Sequence, residues 1–283
     1  MDFFNHPPTY ERFRQWVFSC RESFSHVTVF PVGKTVQKRT IYGLGIGNLH
    51  SANLMCAGWH GQEWLTTMVL MRFAEELFQV LEQNKTLCDR FIWDDLRRTG
   101  LILVPMVNPD GIERGLTPMG REQKWQANAR GVDLNHNFDA NFPACRSLEQ
   151  QAGILGPGPG KYGGPYPNSE PETRAMVQLC CSFPIRCAWA FHSQGEEIYY
   201  EYGTHTPPVS LWMAQLIASV SGYKISAPAL SASHGGFKDW FIDKFHRPGF
   251  TLEIGKGENP LPISDLEPIY QKLRQAFVCM CIM

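Results

Sequence analysis

A turn that connects a strand to a helix is predicted within Met55-Cys56-Ala57-Gly58-Trp59-His60-Gly61-Gln62-Glu63-Trp64. The apolar run from Leu54 to Ala57 predicts a buried strand, which a glycine ends, and an amphipathic pattern from Leu65 to Glu82 predicts a helix. His60 and Glu63 lie three residues apart at the turn between them, so their side chains can point at one spot. An imidazole and a carboxylate are two of the three protein ligands that a catalytic zinc needs.

Predicted strands and helices alternate along the whole chain, which is typical of the α/β class. Further strands are predicted at residues 27–32, 40–44, 100–107, 187–191 and 249–254, and further helices at 7–24, 170–181, 208–221, 237–245 and 264–283. A turn is predicted at Asn108-Pro109-Asp110-Gly111, and the Gly- and Pro-rich region 116–169 is predicted to lack regular structure. No linker divides the chain. We therefore predict one domain over residues 1–283, in which residues 1–39 supply an N-terminal helix and the first strand.

The composition limits the classes of protein and of partner that are expected. The chain has 283 residues, of which 43% are hydrophobic, and its 26 basic and 27 acidic residues give a net charge of -1. No basic field therefore favours nucleic acid or a membrane surface as a partner, and no apolar run reaches the ~20 residues of a membrane span. The first residues lack the pattern of a signal peptide, and the nine cysteines include no Cys-x-x-Cys pair. We expect a cytoplasmic protein with reduced thiols.

Two further candidate site residues lie at the ends of predicted strands. His192 follows one apolar run and Glu253 lies near the end of the next. Ligands of open α/β sheets bind outside the carboxyl ends of the strands, so His60, His192 and Glu253 are predicted to share one site. The run Gly43-Leu44-Gly45-Ile46-Gly47 has the wrong spacing for a dinucleotide loop, and no phosphate loop occurs elsewhere, which argues against a nucleotide-dependent enzyme.

Five motifs in this order resemble those of the zinc carboxypeptidase family, the metallopeptidases related to pancreatic carboxypeptidase A. They are His60-Gly61-Gln62-Glu63-Trp64, Asn108-Pro109-Asp110-Gly111, Asp133-Leu134-Asn135, Phe191-His192-Ser193 and Phe250-Thr251-Leu252-Glu253. The resemblance covers roughly residues 40 to 283. It implies a mixed sheet of eight strands with helices on both faces and a zinc site at its carboxyl edge.

The same resemblance implies that His60, Glu63 and His192 hold one zinc ion and that Glu253 is the general base and acid. The chemistry of these residue types agrees with those roles. Two imidazoles and one carboxylate favour zinc and leave a coordination position open. A further carboxylate can take a proton from water and pass it to the leaving amine.

The chain departs from carboxypeptidase A where that enzyme binds a C-terminal carboxylate. An Asn-Arg pair does so there, and the matching pair here is Asn135-His136. Arginine binds a carboxylate through two parallel hydrogen bonds, whereas histidine gives one and is charged only part of the time. Ordinary removal of a C-terminal amino acid is therefore not expected.

Two other functional positions of the family also differ. Gln126 aligns with the arginine that stabilises the oxyanion, and Arg130 is the alternative for this role. The mobile tyrosine of the family aligns with Ser231, so His234 or a tyrosine between positions 199 and 202 would have to replace it.

Lys238 lies two residues after Gly235-Gly236, where the family has the floor of the pocket for the substrate side chain. A lysine there suits a substrate side chain that carries a carboxylate. In the alternative interpretation, Lys238 faces solvent and pairs with the neighbouring Asp239.

Segments 127–135, 192–200, 236–242 and 255–262 resemble one branch of the family, the bacterial γ-D-glutamyl-L-diamino acid peptidases, which cut peptidoglycan stem peptides. The resemblance implies cleavage of the bond from γ-D-glutamate to meso-diaminopimelate or lysine. Lys238 would then face the distal carboxylate of diaminopimelate. An ordinary metallocarboxypeptidase and an inactive binding protein of the same fold remain the alternatives.

Overall fold

The protein is built around one mixed sheet, and its computed structural model describes residues 3–228 and 234–283. The strands are β1 (Val27–Lys34), β2 (Thr40–Ile46), β3 (Ala52–Cys56), β4 (Gly100–Val104), β5 (Ile185–His192), β6 (Glu197–Tyr199), β7 (Lys224–Ile225) and β8 (Gly249–Glu253). The α-helices are α1 (Tyr10–Ser23), α2 (Trp64–Glu82), α3 (Ile92–Leu96), α4 (Pro109–Gly115), α5 (Pro118–Glu122), α6 (Phe142–Gln151), α7 (Pro171–Ser182), α8 (Val209–Ser221), α9 (Phe237–Phe245) and α10 (Leu266–Ile282).

The strands lie in the order β1-β2-β4-β3-β5-β8-β6-β7 across the eight-stranded sheet. β4, β3, β5 and β8 form a parallel centre, and β2 and β6 join it from either side as antiparallel neighbours. β3 and β4 are buried along their whole length, as their continuous apolar runs predict. The predicted mixed sheet in a single α/β domain is confirmed.

Helices cover both faces of the sheet with apolar side chains. On one face α1, α2, α8 and α10 form the larger core, in which Phe73 of α2 stacks on Phe277 of α10 with ring centroids 4.5 Å apart. On the other face α7 and α9 contribute Met176, Phe237 and Phe241 to the second core. None of the helices within the described ranges is long and apolar enough to cross a membrane.

The strand order reverses between β3 and β5. From β3 the chain crosses through α2 to β4 on one side, whereas β5 pairs with β3 on its other side. The segments that leave the carboxyl ends of these two strands therefore diverge and open a crevice, as is usual at a switch point of an α/β sheet.

Parts of the structure differ from the prediction. Asn108 does not start an isolated turn but caps α4, where its side-chain oxygen accepts the Gly111 N–H at 2.9 Å. Region 116–169, which its glycines and prolines predict to lack regular structure, contains α5 and α6. The prediction also lacks β6 and β7, because strands of three and two residues are too short to show a periodic pattern.

Candidate metal centre and substrate cavity

The turn after β3 brings His60 and Glu63 to the carboxyl edge of the sheet. Gly58 has a positive φ of +67°, and a Cβ atom at this position would lie 2.4 Å from Thr67 Oγ1, so both conformation and space require glycine. A short 3-10 helix (Gly61–Glu63) then carries the carboxylate. The Gly61 N–H of this helix has a partner outside the helix, since it donates to the Gln126 carbonyl at 3.1 Å.

Two imidazoles converge on the carboxylate of Glu63. His60 Nδ1 lies 2.8 Å from Glu63 Oε1, and His192 Nδ1, at the end of β5, lies 3.2 Å from Glu63 Oε2. The three side chains are buried, and their candidate ligand atoms all lie within 4.8 Å of one another. Both imidazoles turn the same nitrogen toward the carboxylate, so the donor set fits a zinc ion held by two nitrogens and a carboxylate.

Asp133 orients His60 from the far side of the ring. Its Oδ1 lies 3.1 Å from His60 Nε2, and its carboxylate also accepts the N–H groups of Asn135 (3.0 Å) and Lys161 (2.9 Å). A carboxylate on the second nitrogen fixes the tautomer of a metal-binding histidine. The sequence places Asp133 inside a family motif, but nothing in the pattern indicates this contact, which bridges 73 residues.

The charges in the cluster favour the protonation state that a metal needs at Glu63 and His192, but not at His60. Burial acts against the charge of Glu63, but the two imidazoles outweigh it and lower the pKa of the carboxyl to about 2. Burial dominates for His192 and lowers its pKa, so this imidazole stays neutral. At His60 burial also opposes the charge, but Glu63 and Asp133 outweigh it and raise the pKa well above its ordinary value. A bound cation would displace that proton.

Glu253 ends β8 and faces the same region as the cluster. Its register partner in β5 is His192, and its partner in β6 is Glu197. Burial, with a smaller contribution from the charge of Glu63, raises the pKa of the Glu253 carboxyl well above its ordinary value. A carboxyl whose pKa is raised toward neutrality is suited to accept and return a proton.

A cavity of about 360 Å³ contains this whole group, and its lining includes His60, Glu63, His192 and Glu253. Further polar residues on its wall include Gln126, Asn135, His136 and Lys161. A cavity of about 450 Å³ lies at the other end of β5 and has neither an acidic side chain nor an imidazole in its described lining. The cavity of about 360 Å³ is therefore the candidate site.

The structure separates the two predicted oxyanion residues. Gln126 lines the cavity, whereas Arg130 is outside the described lining, with its side chain 55% exposed and 3.5 Å from Glu170. The prediction that Arg130 substitutes for Gln126 is thus not supported by its position. Lys161 lies on the cavity wall instead. The sequence pattern does not indicate this cation, because it follows the Gly- and Pro-rich run at residues 156–160, where no strand or helix is predicted.

Lys238 is buried rather than exposed. It lines a small cavity of about 50 Å³, which shares Asn135, Tyr199 and Glu253 with the candidate site. Its ammonium group donates to Asp239 Oδ1 at 2.5 Å and to the Glu201 carbonyl at 2.6 Å. Lys238 therefore does not face solvent, although it is paired with Asp239, and its contact with a substrate side chain stays a prediction.

The position of the mobile tyrosine, Ser231, lies outside the described residues. Among the proposed replacements, Tyr199 lines both the candidate site and the small cavity, and its hydroxyl donates to Glu197 Oε2 at 2.6 Å. His234 bonds instead to the Tyr202 hydroxyl at 2.9 Å and lines a different cavity. Tyr199 is thus the better-placed of these residues.

Comparison with known proteins agrees with this geometry. The model of the zinc carboxypeptidase family matches residues 13–276, so the match also includes most of α1 and all of β1. A γ-D-glutamyl-L-diamino acid endopeptidase of Lysinibacillus sphaericus is 37% identical over 266 residues, which are 88% of this chain and 65% of that protein. The chain thus spans less than two thirds of this relative's length.

Solved structures share the fold at lower identity. Bovine thrombin-activatable fibrinolysis inhibitor superposes with a TM-score of 0.81 at 19% identity, over 99% of this chain and 98% of that one. A murein-tripeptide amidase from Escherichia coli O157 superposes with a TM-score of 0.57 at 20% identity, over 94% of this chain and 95% of the other.

Proposed function

The chain belongs to the zinc carboxypeptidase family, and on this premise we propose that it hydrolyses the bond between γ-D-glutamate and a diamino acid, meso-diaminopimelate or lysine, in peptidoglycan stem peptides. One observation carries the peptidase chemistry: His60, Glu63 and His192 converge in a buried cluster that lines the same cavity as Glu253. The choice of bond is supported by the relative at 37% identity, which is named for this activity.

In this proposal His60, Glu63 and His192 hold one zinc ion, and Asp133 keeps His60 in the orientation that binding needs. The bound ion supplies Lewis acidity toward a carbonyl and lowers the pKa of a water. Glu253 accepts the proton of the attacking water and returns it to the amine of the departing diamino acid. Its partial burial and its position at a strand end keep the carboxylate in place during both transfers.

The walls of the cavity support a polar substrate. Asn135 and His136, which align with the pair that binds a C-terminal carboxylate in the family, line the cavity, and Gln126 and Lys161 supply further hydrogen-bond donors. The lining of the small cavity includes the buried pair of Lys238 and Asp239. An ammonium group has three N–H donors, so Lys238 keeps one for a substrate carboxylate after bonding to Asp239 and Glu201.

The cellular setting is part of the same proposal. All nine cysteines are free thiols, and four of them are buried on α7, β5 and α10 or at the end of β3. A reducing compartment such as the cytoplasm preserves this state, and the substrates would there be peptides released from the wall.

Mass spectrometry of the products from a panel of peptides tests the proposal. The panel contains L-Ala-γ-D-Glu-diaminopimelate, its lysine analogue, and ordinary dipeptides with a free C-terminus. We expect L-Ala-D-Glu and the free diamino acid as products, and no cleavage in a Glu253→Gln control. Efficient release of C-terminal amino acids from the dipeptides, with both muropeptides intact, would indicate an ordinary metallocarboxypeptidase. Zinc-loaded protein without any turnover would indicate a binding protein.

A further inference from the structure

A further cavity adjoins the candidate site and shares Gln126 and Lys161 with it. This adjoining cavity has a volume of about 430 Å³, and most of its remaining wall comes from the Gly- and Pro-rich segment 153–160. Its described lining contains two lysines, Lys124 and Lys161, and no acidic side chain. The adjoining cavity therefore extends the candidate site with a surface that favours an anionic group.

The small cavity at Lys238 joins the candidate site through different residues. It shares Asn135, Tyr199 and Glu253 with that site, and its described lining has no residue in common with the adjoining cavity. The metal-ligand cluster lies in the candidate site, which connects the two. In the proposed function the side chain of the leaving diamino acid points toward Lys238. The acyl part of the substrate then has the adjoining cavity to extend into.

The backbone of Lys161 is held at the junction between the candidate site and the adjoining cavity. Its N–H donates to Asp133 Oδ2 at 2.9 Å, and the carbonyl of the next residue, Tyr162, accepts the Asp133 N–H at 2.7 Å. The other carboxylate oxygen of Asp133 contacts His60, one of the candidate metal ligands. Through Asp133, the position of Lys161 is therefore tied to that of the metal centre.

The side chain of Lys161 is available to a ligand. The residue is exposed, and no carboxylate among the described residues pairs with its ammonium group, whereas Lys124 lies 3.8 Å from Glu258. Lys161 also has a left-handed backbone with φ at +64°, a conformation that glycine adopts at lower cost. A lysine in this conformation on the wall of a cavity indicates a use for its side chain.

A γ-glutamyl bond leaves a carboxylate free on the acyl side of the bond that is cut. The glutamate is linked through its side-chain carboxyl group, so its α-carboxylate remains ionised. In an ordinary peptide the α-carboxyl group itself forms the scissile bond, and no such charge is present. A cation on the acyl side of the candidate site therefore distinguishes a γ-glutamyl bond from an ordinary peptide bond.

We propose that Lys161 is a specificity-determining residue that binds the free α-carboxylate of γ-linked glutamate, while the rest of the acyl part occupies the adjoining cavity. The proposal combines the unpaired ammonium group of Lys161 with its position on the walls of both cavities. It rests on the proposed function and deepens it, because it assigns a residue to the recognition of the γ-linkage.

Two peptides that differ in one group test the proposal. L-Ala-γ-D-Glu-diaminopimelate has the free α-carboxylate, and its D-isoglutamine analogue has an uncharged amide there, while the leaving residue is the same in both. We expect Lys161→Met to lower the ratio of kcat/KM for the carboxylate peptide over the amide peptide by about 10-fold. Lys161→Arg keeps the positive charge and should retain most of the wild-type ratio.

Lys124→Met is the matched control, because Lys124 lines the adjoining cavity but is outside the described lining of the candidate site. The ratio in this variant should equal that of the wild type. Both peptides are measured on one preparation, so partial misfolding lowers both values and leaves the ratio unchanged. A contact of Lys161 with the leaving residue would also leave it unchanged.

The outcomes separate this inference from the proposed function. If the wild type cleaves the peptides and Lys161→Met has the wild-type ratio, the inference is overturned and the proposed function stands. If the wild type cleaves neither peptide, the proposed function is overturned and the inference falls with it. A lowered ratio in Lys161→Met that Lys161→Arg restores supports both.

Discussion

Glu63 links the two histidines of the candidate site because its two oxygens face two different imidazoles. A single oxygen could be supplied by many side chains, but a carboxylate shared in this way fixes the distance between the rings. Its low pKa, about 2, keeps it charged over the range in which peptidases work. Loss of one imidazole therefore leaves the buried charge with one imidazole and the Ser193 N–H as partners, and binding of a cation should fail.

The first prediction separates metal binding from turnover. His192→Ala should lose both zinc and activity, because one nitrogen ligand disappears. Glu253→Gln should keep stoichiometric zinc and lose about 10²- to 10⁴-fold in kcat, since the amide cannot accept the proton. Elemental analysis and product formation are measured on the same preparations. Stoichiometric zinc in a His60→Ala/His192→Ala double variant would rule out the proposed ligand set.

The second prediction concerns Lys238 and must allow for its partner. Lys238→Met alone leaves Asp239 as a buried, unpaired charge, which should destabilise the protein by about 3 kcal/mol or more. Lys238→Met/Asp239→Asn removes both charges and should unfold closer to the wild type. On the diaminopimelate peptide the double variant should lose about 10- to 100-fold in kcat/KM. The lysine analogue, which lacks the distal carboxylate, should lose less.

Two measurements check this prediction. Urea unfolding compares the single and double variants, and kcat/KM is determined on both peptides. Equal losses on the two peptides would mean that the pair only supports the fold. No loss on either would mean that the substrate side chain does not reach Lys238.

At the scale of elements, long strands and helices were predictable because each carries a complete apolar pattern. Helix α2 and strand β4 are examples, with buried residues at the positions that the sequence indicates. Helix α6 was not, because its inner face holds the polar Glu149 together with Cys145, and its first residue follows Asn141 in a left-handed conformation. A buried carboxylate looks like a surface residue until its partners are known.

The third prediction concerns the contact between α2 and α10. Glu76 of α2 accepts hydrogen bonds from Arg274 of α10, at 2.5 Å from its Nη2, and from the Tyr270 hydroxyl. Burial alone would raise the pKa of Glu76, but Arg274 and Tyr270 outweigh it and lower the pKa. A lowered folded-state pKa adds stability above the unfolded pKa, and this contribution is lost as the pH falls through the folded-state value.

Glu76→Gln should therefore lower the free energy of unfolding by about 1–2 kcal/mol at pH 7. The difference from the wild type should shrink as the pH falls below about 4, where the wild-type carboxyl also becomes neutral. Urea unfolding at both pH values provides the measurement, with the exposed Glu122→Gln as control. A difference that grows on acidification would contradict the assigned direction of the shift.

At the scale of the whole molecule, the sequence predicts the location of the candidate site better than its substrate specificity. Strand ends identify His60, His192 and Glu253, since the sheet topology brings them together. The partners of two candidate substrate-binding residues, Asp239 for Lys238 and Glu149 for His136, come from contacts that a strand pattern does not contain. Specificity therefore has to be measured on the assembled cavity.

The last prediction concerns that specificity. Carboxypeptidase substrates such as hippuryl-phenylalanine would place an aromatic ring toward the buried Lys238–Asp239 pair and a free carboxylate beside His136. Burying apolar groups against charged groups without compensating hydrogen bonds is unfavourable, and His136 offers the carboxylate one hydrogen bond where an arginine would offer two. We expect kcat/KM on this substrate to be at least about 10³-fold below that on the diaminopimelate peptide. In Lys238→Met/Asp239→Asn the difference in kcat/KM between the two substrates should be smaller. The value for hippuryl-phenylalanine should rise because its ring contacts a less polar surface, and the value for the diaminopimelate peptide should fall because its acidic side chain loses Lys238. A wild-type enzyme that cleaves both substrates equally well would show that neither His136 nor the charged floor determines which bond is cut.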